Sequence, residues 1–474
     1  MKNKLNIILN WLIVVYVFLL PWQTVYIFNE KFINGSKSQF LTGQIFATEL
    51  LLWLIIILYL LVNFRLADLK KKFPLVFNLA NKKQFFIFSL WLFLAYSGLS
   101  IIWARDQSAA FYLWFHFLEG AALLLIILTS NISKIKLLWA LLLSAGLQGI
   151  LAMQQFLSQS IPADKWLGIA YHSAIIPGDI VIEAGGGRWL RAYGAFSHPN
   201  ILGGFLLLGL IAACLLWLHY FRSSDRNYKA TERLKFSSPE AKKFISLWLK
   251  LLAILSVSIL IVAGLFFSFS RSAWLALALI LSLLFFNVIK FETIAGSWRE
   301  KIQFLLLPLG IIMLFAAMTF IFNPLVFSRA DMANRLEAIS QTERISQIGE
   351  AWQIIKTAPI FGVGLNNYTV RLDKMQHGKP AYLLQPTHDI YLLIAAELGI
   401  IGLIIFIVFV GALFLTARAQ SGFLLPIAII SPFLLIGLFD HYLWTSYSGI
   451  IIFYLGLTFT IVDVNLQTQT TNEL

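Results

Sequence analysis

The chain has 474 residues, 59% of them hydrophobic and only 12% charged, with a formal net charge of +13. A soluble domain carries roughly 25% charged residues, so this composition excludes an ordinary water-soluble globule. It also leaves no room for a separate soluble catalytic domain.

The apolar residues form long blocks, and a helical crossing of a hydrocarbon core needs about 20 of them. Backbone polar groups in lipid must be satisfied within the segment, which favours helices. Twelve blocks read as spans, at about 7–28, 44–62, 84–102, 109–129, 136–157, 199–220, 246–268, 272–289, 302–323, 389–415, 422–439 and 444–463. The expected fold class is an all-α polytopic membrane protein, with residues 1–474 as a single integral membrane domain. Lys2 and Lys4 precede the first span, and no small-residue cleavage site follows it. Trp22 and Tyr26 fit interfacial anchors, so a retained helix is expected rather than a removed signal peptide. Cys214 is the single cysteine. It has no internal disulfide partner and reads as a small buried thiol.

Lys and Arg gather in one alternating set of loops: Arg65, Lys70, Lys71, Lys72, Lys82 and Lys83, then Lys134 and Lys136, the basic 221–245 segment, and Lys290, Arg299 and Lys301. That set is expected in the cytoplasm, together with both termini. Much of the positive charge is thereby explained by helix orientation and anionic lipid head groups. The 221–245 segment lacks the aromatic pattern of a single-strand groove, so no nucleic-acid partner is expected. Two long outer loops remain, at 158–198 and 324–388. Long translocated segments escape the charge rule, so their cations need a separate account.

The first outer loop ends in EAGGGRWLRAYGAFSHPN. Gly185, Gly186 and Gly187 permit close approach to a ligand. They are not a P-loop, because the Gly-Lys-Ser/Thr ending is absent. Arg188 and Arg191 offer forked guanidinium groups suited to phosphate, against the plainer reading that they reach lipid phosphates. His198 is a polar contact or a structural histidine before Pro199. Ser197 or Asn200 is expected to cap the next helix. In FFSFSRSAWLAL, Ser268, Ser270 and Arg271 separate two apolar runs. Two helices joined by a tight turn are expected, with Arg271 as a second phosphate-binding cation or a solvated turn residue.

In the second outer loop, Ser340-Gln341-Thr342-Glu343 fits a capping box. Ile345, Ile348, Trp352 and Ile355 recur at helical spacing, so an amphipathic helix ending near Pro359 is expected. Arg344 would lie in its first turn, where a cation gains nothing from the helix dipole. A bound anion or Glu343 would relieve that mismatch. Gly362 and Gly364 permit a reversal, after which Asn366, Asn367 and Tyr368 supply polar groups for sugar or pyrophosphate, or simply form a turn. Arg371, Lys374, His377 and Lys379 read as solvated. His388, in QPTHDIYLLIAAELGIIG, precedes a long apolar helix, and its neutral imidazole can take a proton from an attacking hydroxyl. Helix capping and direct diphosphate contact are its alternatives. Glu397 falls inside the helix, and Asp440-His441 reads as a local hydrogen-bond network. No HExxH, DxD or cysteine cluster calls for a metal.

Four segments together carry a likeness: RAYGAFSHPN, SRSAW, ERISQIGEAWQIIKTAPIFGVGLNNY and THDIYLLIAAELGIIG. In their order and spacing, over about residues 85–465, the chain resembles the O-antigen ligase and Wzy-type polymerase superfamily. The resemblance implies a GT-C helical fold and a polyprenyl-diphosphate-linked glycan as donor, undecaprenyl diphosphate being the carrier. It implies a lipid, protein or glycan acceptor. It places arginines on the donor diphosphate and a histidine at the reaction centre, roles that fall to Arg191, Arg271, Arg344 and His388. Asn commonly follows that histidine in the family; here the position is Asp389. A diphosphate is a good leaving group, so no cofactor, nucleotide or metal is expected to be required. Ligase is the first reading, polymerase the second, and a lipid-linked glycan transporter the reading from a different class.

Overall fold

The computed structural model describes residues 2–63, 78–228, 239–290, 298–329, 331, 334–421 and 424–461. Helices dominate. In chain order they begin with α1 (Lys2–Leu19), α2 (Ala47–Asn63), α3 (Lys82–Leu99), α4 (Gln107–Thr129) and α5 (Lys134–Ser158). Then follow α6 (Pro199–Tyr228), α7 (Pro239–Phe267), α8 (Arg271–Lys290), α9 (Trp298–Ile321), the short α10 (Asn323–Ser328), α11 (Arg335–Thr357) and α12 (Tyr368–Met375). The last are α13 (Ile390–Ser421), α14 (Leu424–Gly437), the short α15 (Tyr442–Thr445) and α16 (Tyr447–Ile461).

Among the described residues, eight helices are long and apolar enough to cross a membrane: Lys82–Ile102, Gln107–Thr129, Lys134–Ser158, Pro199–Phe221, Phe244–Phe267, Arg271–Val288, Lys301–Ile321 and Ile390–Ala419. The other four expected spans coincide with shorter apolar helices, Asn3–Leu19, Ala47–Asn63, Leu425–Gly437 and Tyr447–Ile461. The protein is thus an all-α polytopic membrane protein in its general class. α6 sits at the centre, its apolar window wholly buried, as expected of a helix that is hydrophobic on every side. α5 and α7 approach closely because Gly149 and Gly264 face each other. A Cβ on Gly264 would stand 2.7 Å from the Gly149 Cα, and one on Gly149 would stand 2.3 Å from the Leu260 carbonyl oxygen. Small residues allow this backbone contact between apolar helices.

Several expected boundaries need correction. The first span stops at Leu19, not near residue 28, because Val25–Asn29 forms strand β1. β1 pairs antiparallel with β4 (Gly43–Phe46), around a small hairpin of β2 (Phe32–Ile33) and β3 (Ser36–Lys37). β-branched and aromatic residues favour this extended state once the helix has ended at Pro21. The 158–198 segment contains two more pairs, β5 (Ser160–Ile161) with β6 (His172–Ser173), and β7 (Val181–Ala184) with β8 (Gly187–Leu190). Gly185 and Gly186 both have positive φ, +60° and +76°. They form the two-residue turn of the β7–β8 hairpin, for which glycine is well suited. The basic 221–245 segment is largely taken up by the ends of α6 and α7, and its residues 229–238 lie outside the described residues.

The amphipathic helix begins earlier than the expected capping box. Asn334 is its N-cap, its side chain accepting from the Leu336 N–H at 3.1 Å. Arg344 therefore lies in the third turn, and the expected dipole mismatch does not apply to it. Ala351 and Ile354 are the buried apolar positions of this helix, whereas Ile345, Ile348 and Trp352 are exposed. α13 breaks at Gly399 (φ 69°). There the Val363 and Gly364 N–H groups donate to the freed carbonyls of Ala396 and Glu397, at 3.0 and 2.9 Å. Irregular backbone at this depth is tolerated because protein groups satisfy it. The join pins the 324–388 segment to the bundle.

Candidate active site

The 158–198 and 324–388 segments and neighbouring helix ends enclose a cleft of about 780 Å³. Arg188, Arg191, His198, Arg271, Arg344 and His388 all line it, drawn from the 158–198 segment, the α7–α8 turn, α11 and the entrance of α13. Arg329 lines it as well.

Arg191 is the most deeply held cation, 5% exposed. Its backbone N–H donates to the Ile180 carbonyl, and the next N–H, of Ala192, donates to Phe267 at the end of α7. The guanidinium donates through Nε to the Ser268 carbonyl at 2.8 Å and through Nη2 to Asn200 Oδ1 at 2.6 Å. Asn200 in turn donates to Asp440 Oδ2. Burial, with Arg329 and Arg271 nearby, pulls the Arg191 pKa well down. Asn200 is thus committed to this network and does not cap α6. His198 does so instead, its Nδ1 accepting from the Asn200 N–H at 3.0 Å. That leaves Nε2 to carry the proton of a neutral ring. Burial lowers the His198 pKa to about 4, and Asp440 opposes the shift.

Arg271 opens α8, after a turn in which Phe269 takes a left-handed conformation (φ 46°). A cation at a helix N-terminus is disfavoured by the dipole. Glu337 compensates. Its Oε2 lies 2.9 Å from Arg271 Nη1, and its Oε1 pairs closely with Arg329 Nη1. Arg271 Nη1 also donates to the Arg329 carbonyl at 2.9 Å. Burial takes the Arg329 pKa down to about 10, against the pull of Glu337. One carboxylate therefore holds two guanidinium groups at the wall of the cleft.

Arg344 differs. Among the described residues no hydrogen bond or ion pair engages its guanidinium. Burial lowers its pKa; Asp440 opposes this and Arg271 adds to it. His388 lies across from it, its Nδ1 2.7 Å from Gln347 Oε1. An amide oxygen only accepts, so Nδ1 carries the proton and Nε2 keeps a lone pair. Burial draws the His388 pKa below the ordinary imidazole value; Asp440 opposes, Arg344 reinforces, and Glu343 opposes. The ring meets His441 edge-on at 5.1 Å between centroids. Asp389 caps α13, accepting from the Tyr391 and Leu392 N–H groups at 2.8 and 2.9 Å.

Arg188, on β8, is exposed and makes one long contact, to the Ile176 carbonyl at 3.5 Å. Asn366, Asn367 and Tyr368 are not in the cleft, contrary to their expected place beside substrate. Asn366 donates to the carbonyls of Ala109 and Phe40. Asn367 accepts from the Asp106 N–H at 2.8 Å and donates to the Asp106 and Leu365 carbonyls. Tyr368 is buried and donates to the Gln347 carbonyl at 3.4 Å. The two asparagines hold the 324–388 segment to the α3–α4 connection and the start of α4. Glu397 accepts from Trp444 Nε1 at 3.0 Å, a helix-to-helix contact.

The sequence reading missed Arg329, Glu337 and Gln347. Arg329 had a signal, being a cation just past an apolar span in an outer loop. Glu337 and Gln347 had none, since their importance lies in partners distant along the chain. Asp440 accepts from its own neighbours, His441 N at 2.9 Å among them, and His441 Nδ1 meets Thr445 Oγ1 at 2.8 Å. The expected local network there extends to Asn200 and Arg191.

Residues 255–407 match the family model described as O-antigen ligase. Comparison with curated proteins finds no match. The matched stretch contains Arg271, Arg329, Glu337, Arg344, Gln347 and His388, whereas Arg191, His198 and Asp440 lie outside it. That match, running across the cation-lined cleft, supports the resemblance to the O-antigen ligase and Wzy superfamily.

Proposed function

We propose that the protein is a membrane glycosyltransferase that moves a glycan from a polyprenyl-diphosphate donor to an acceptor hydroxyl. The observation that carries this reading is the meeting of Arg191, Arg271, Arg329 and Arg344 with His388 in one cleft. Arg344 faces it and, among the described residues, makes no ion pair there. A diphosphate is the matching charge, and guanidinium forks suit its oxygens.

In the proposed step the acceptor oxygen attacks the anomeric carbon of the donor sugar, with inversion. The bond from that carbon to the diphosphate oxygen breaks, and the polyprenyl diphosphate leaves with the electron pair. The acceptor proton passes to His388 Nε2. The arginines offset charge on the leaving group, an effect worth about 3 kcal/mol per well-placed donor. Arg271 and Arg329 are pre-positioned by Glu337; Arg191 is fixed by Ser268 and Asn200. The step uses no nucleotide, cofactor or metal.

The topology belonging to this reading has twelve crossings in a GT-C-like bundle in the plasma (inner) membrane. Both termini are cytoplasmic, and the cleft opens to the periplasmic or extracellular side. The 158–198 and 324–388 segments roof the donor head group. Partners are the lipid-linked donor, surrounding membrane lipids and a lipid, glycan or protein acceptor.

Ligase activity is the primary assignment, and joining of lipid-linked repeat units by a polymerase is the alternative within the same chemistry. The test incubates purified enzyme with lipid-linked repeat units alone, then with lipid A core or an acceptor protein added. Transfer only in the second case supports ligation; a ladder in the first supports polymerisation. Movement of the lipid across reconstituted bilayers with no new glycosidic bond would instead indicate transport and refute both.

A further inference from the structure

A second group of ionisable side chains lies outside the cleft, where α2, α4 and α16 pack together. Glu49, near the start of α2, and His116 and Glu119, on α4, are all buried. One ligand-capable atom from each falls within 4.8 Å of the other two. His116 and Glu119 are three residues apart, so they share one face of α4. An imidazole and a carboxylate at this spacing, facing a carboxylate from a neighbouring helix, is an arrangement that helix bundles use to hold metal ions.

Local hydrogen bonds satisfy the group only in part, although the Trp53 and Glu49 side chains lie within hydrogen-bonding reach of Glu119. His116 Nδ1 lies 2.9 Å from Glu119 Oε2, and Glu49 Oε2 accepts the Phe46 N–H at 3.1 Å. His116 Nε2 and Glu119 Oε1 are buried with no partner. Among the described residues no Lys or Arg pairs with either carboxylate. Ionised, the two carboxylates would carry two negative charges into an apolar interior, which is costly unless a cation accompanies them.

We propose that Glu49, His116 and Glu119 bind one first-row divalent cation, with Zn²⁺ as the probe. Imidazole and carboxylate ligands suit such ions. Ligand bonds of about 2.0–2.2 Å keep two donors on one ion within about 4.4 Å of each other, so small side-chain rotations close the site. The ion braces the helices and takes no part in transfer. It ties α2 to α4, and the His116 ring lies 5.3 Å from the ring of Tyr447 at the head of α16. Tyr447 also meets Tyr16 of α1, hydroxyl to hydroxyl at 3.0 Å. The segment before α16 carries His441 to its contact with His388.

The test uses the full chain in detergent, stripped with chelator, reloaded with ZnCl₂, washed, and assayed for metal by mass spectrometry. The wild type should retain about one Zn²⁺ per chain and gain thermal stability on reloading, as binding energy becomes folding energy. X-ray absorption should report mixed nitrogen and oxygen ligands. Glu49→Gln, His116→Gln and Glu119→Gln should each lose the bound zinc, while His377→Ala, at an exposed loop position, should keep it. Wild type with no zinc above background would overturn the site even if every variant failed to fold. Equal zinc in wild type and His116→Gln would overturn it too, leaving a proton shared within the cluster. Metal content is read without glycosyl transfer, so this result is independent of the proposed reaction.

Discussion

Gln347 and His388 meet at 2.7 Å, amide oxygen against Nδ1, although they are 41 positions apart in the chain. This one contact selects the tautomer that leaves Nε2 with a free lone pair. Tyr368 contributes behind it, through its hydroxyl bond to the Gln347 carbonyl.

His388→Ala should lower glycosyl transfer by roughly 10²–10⁴-fold, the usual range for a general base, with unchanged membrane insertion. Gln347→Leu should lower kcat more modestly, because the ring remains but its tautomer is no longer fixed. Near-normal transfer by purified His388→Ala, in an assay with defined donor, would remove the histidine from the mechanism.

Arg344 and Glu337 should separate binding from stability. Among the described residues Arg344 makes no hydrogen bond or ion pair, so Arg344→Ala should leave the melting temperature almost unchanged while reducing transfer by about 10²–10³-fold. Glu337→Gln strands two guanidinium groups and should destabilise the protein by about 3 kcal/mol. Thermal denaturation in detergent, run beside the transfer assay, measures both. A large stability loss in Arg344→Ala would mean that its guanidinium is structural.

The pH dependence has a definite sign. His388 is active as base when neutral, and burial lowers its pKa. Transfer should therefore fall on the acid side of the profile, with a midpoint below the ordinary imidazole value of about 6.5. An acid limb centred above that value would contradict the neutral, buried ring.

Stability should follow the same direction. His198 and His441 titrate at about 4 and about 3 in the folded protein, against about 6.5 when unfolded. Between these values the unfolded chain binds more protons, so stability is full above about pH 6.5 and declines as pH falls. The slope approaches about 1.4 kcal/mol per pH unit for each histidine. Melting temperatures from pH 7.5 down to 5 test this. The double replacement of His198 and His441 by Gln should flatten the curve.

Asn367→Ala should act on folding rather than on substrate. It removes the acceptor of the Asp106 N–H and one of two donors to the Asp106 carbonyl, and should cost about 1–3 kcal/mol. Folded enzyme should keep a near-normal KM for donor. A raised KM with an unchanged melting temperature would restore Asn367 to the substrate site.

The sequence by itself determined the helical membrane class, because hydropathy is a property of each segment alone. It also marked Arg191, Arg271, Arg344 and His388, since polar groups at the ends of apolar blocks stand out without knowledge of their neighbours. It located the α7–α8 turn from Ser268, Ser270 and Arg271. It misjudged the first span because an apolar run does not reveal where helix gives way to strand. It misread Asn366 and Asn367 because an amide's partners are not written beside it. The tertiary structure alone decided that Glu337 clamps Arg271 and Arg329, that Asn200 links Arg191 to Asp440, and that Glu49 meets His116 and Glu119. These are contacts between side chains distant in sequence, and hydrogen bonds and ion pairs act over only a few ångströms. Helix packing sets which groups come that close, and no local pattern encodes it.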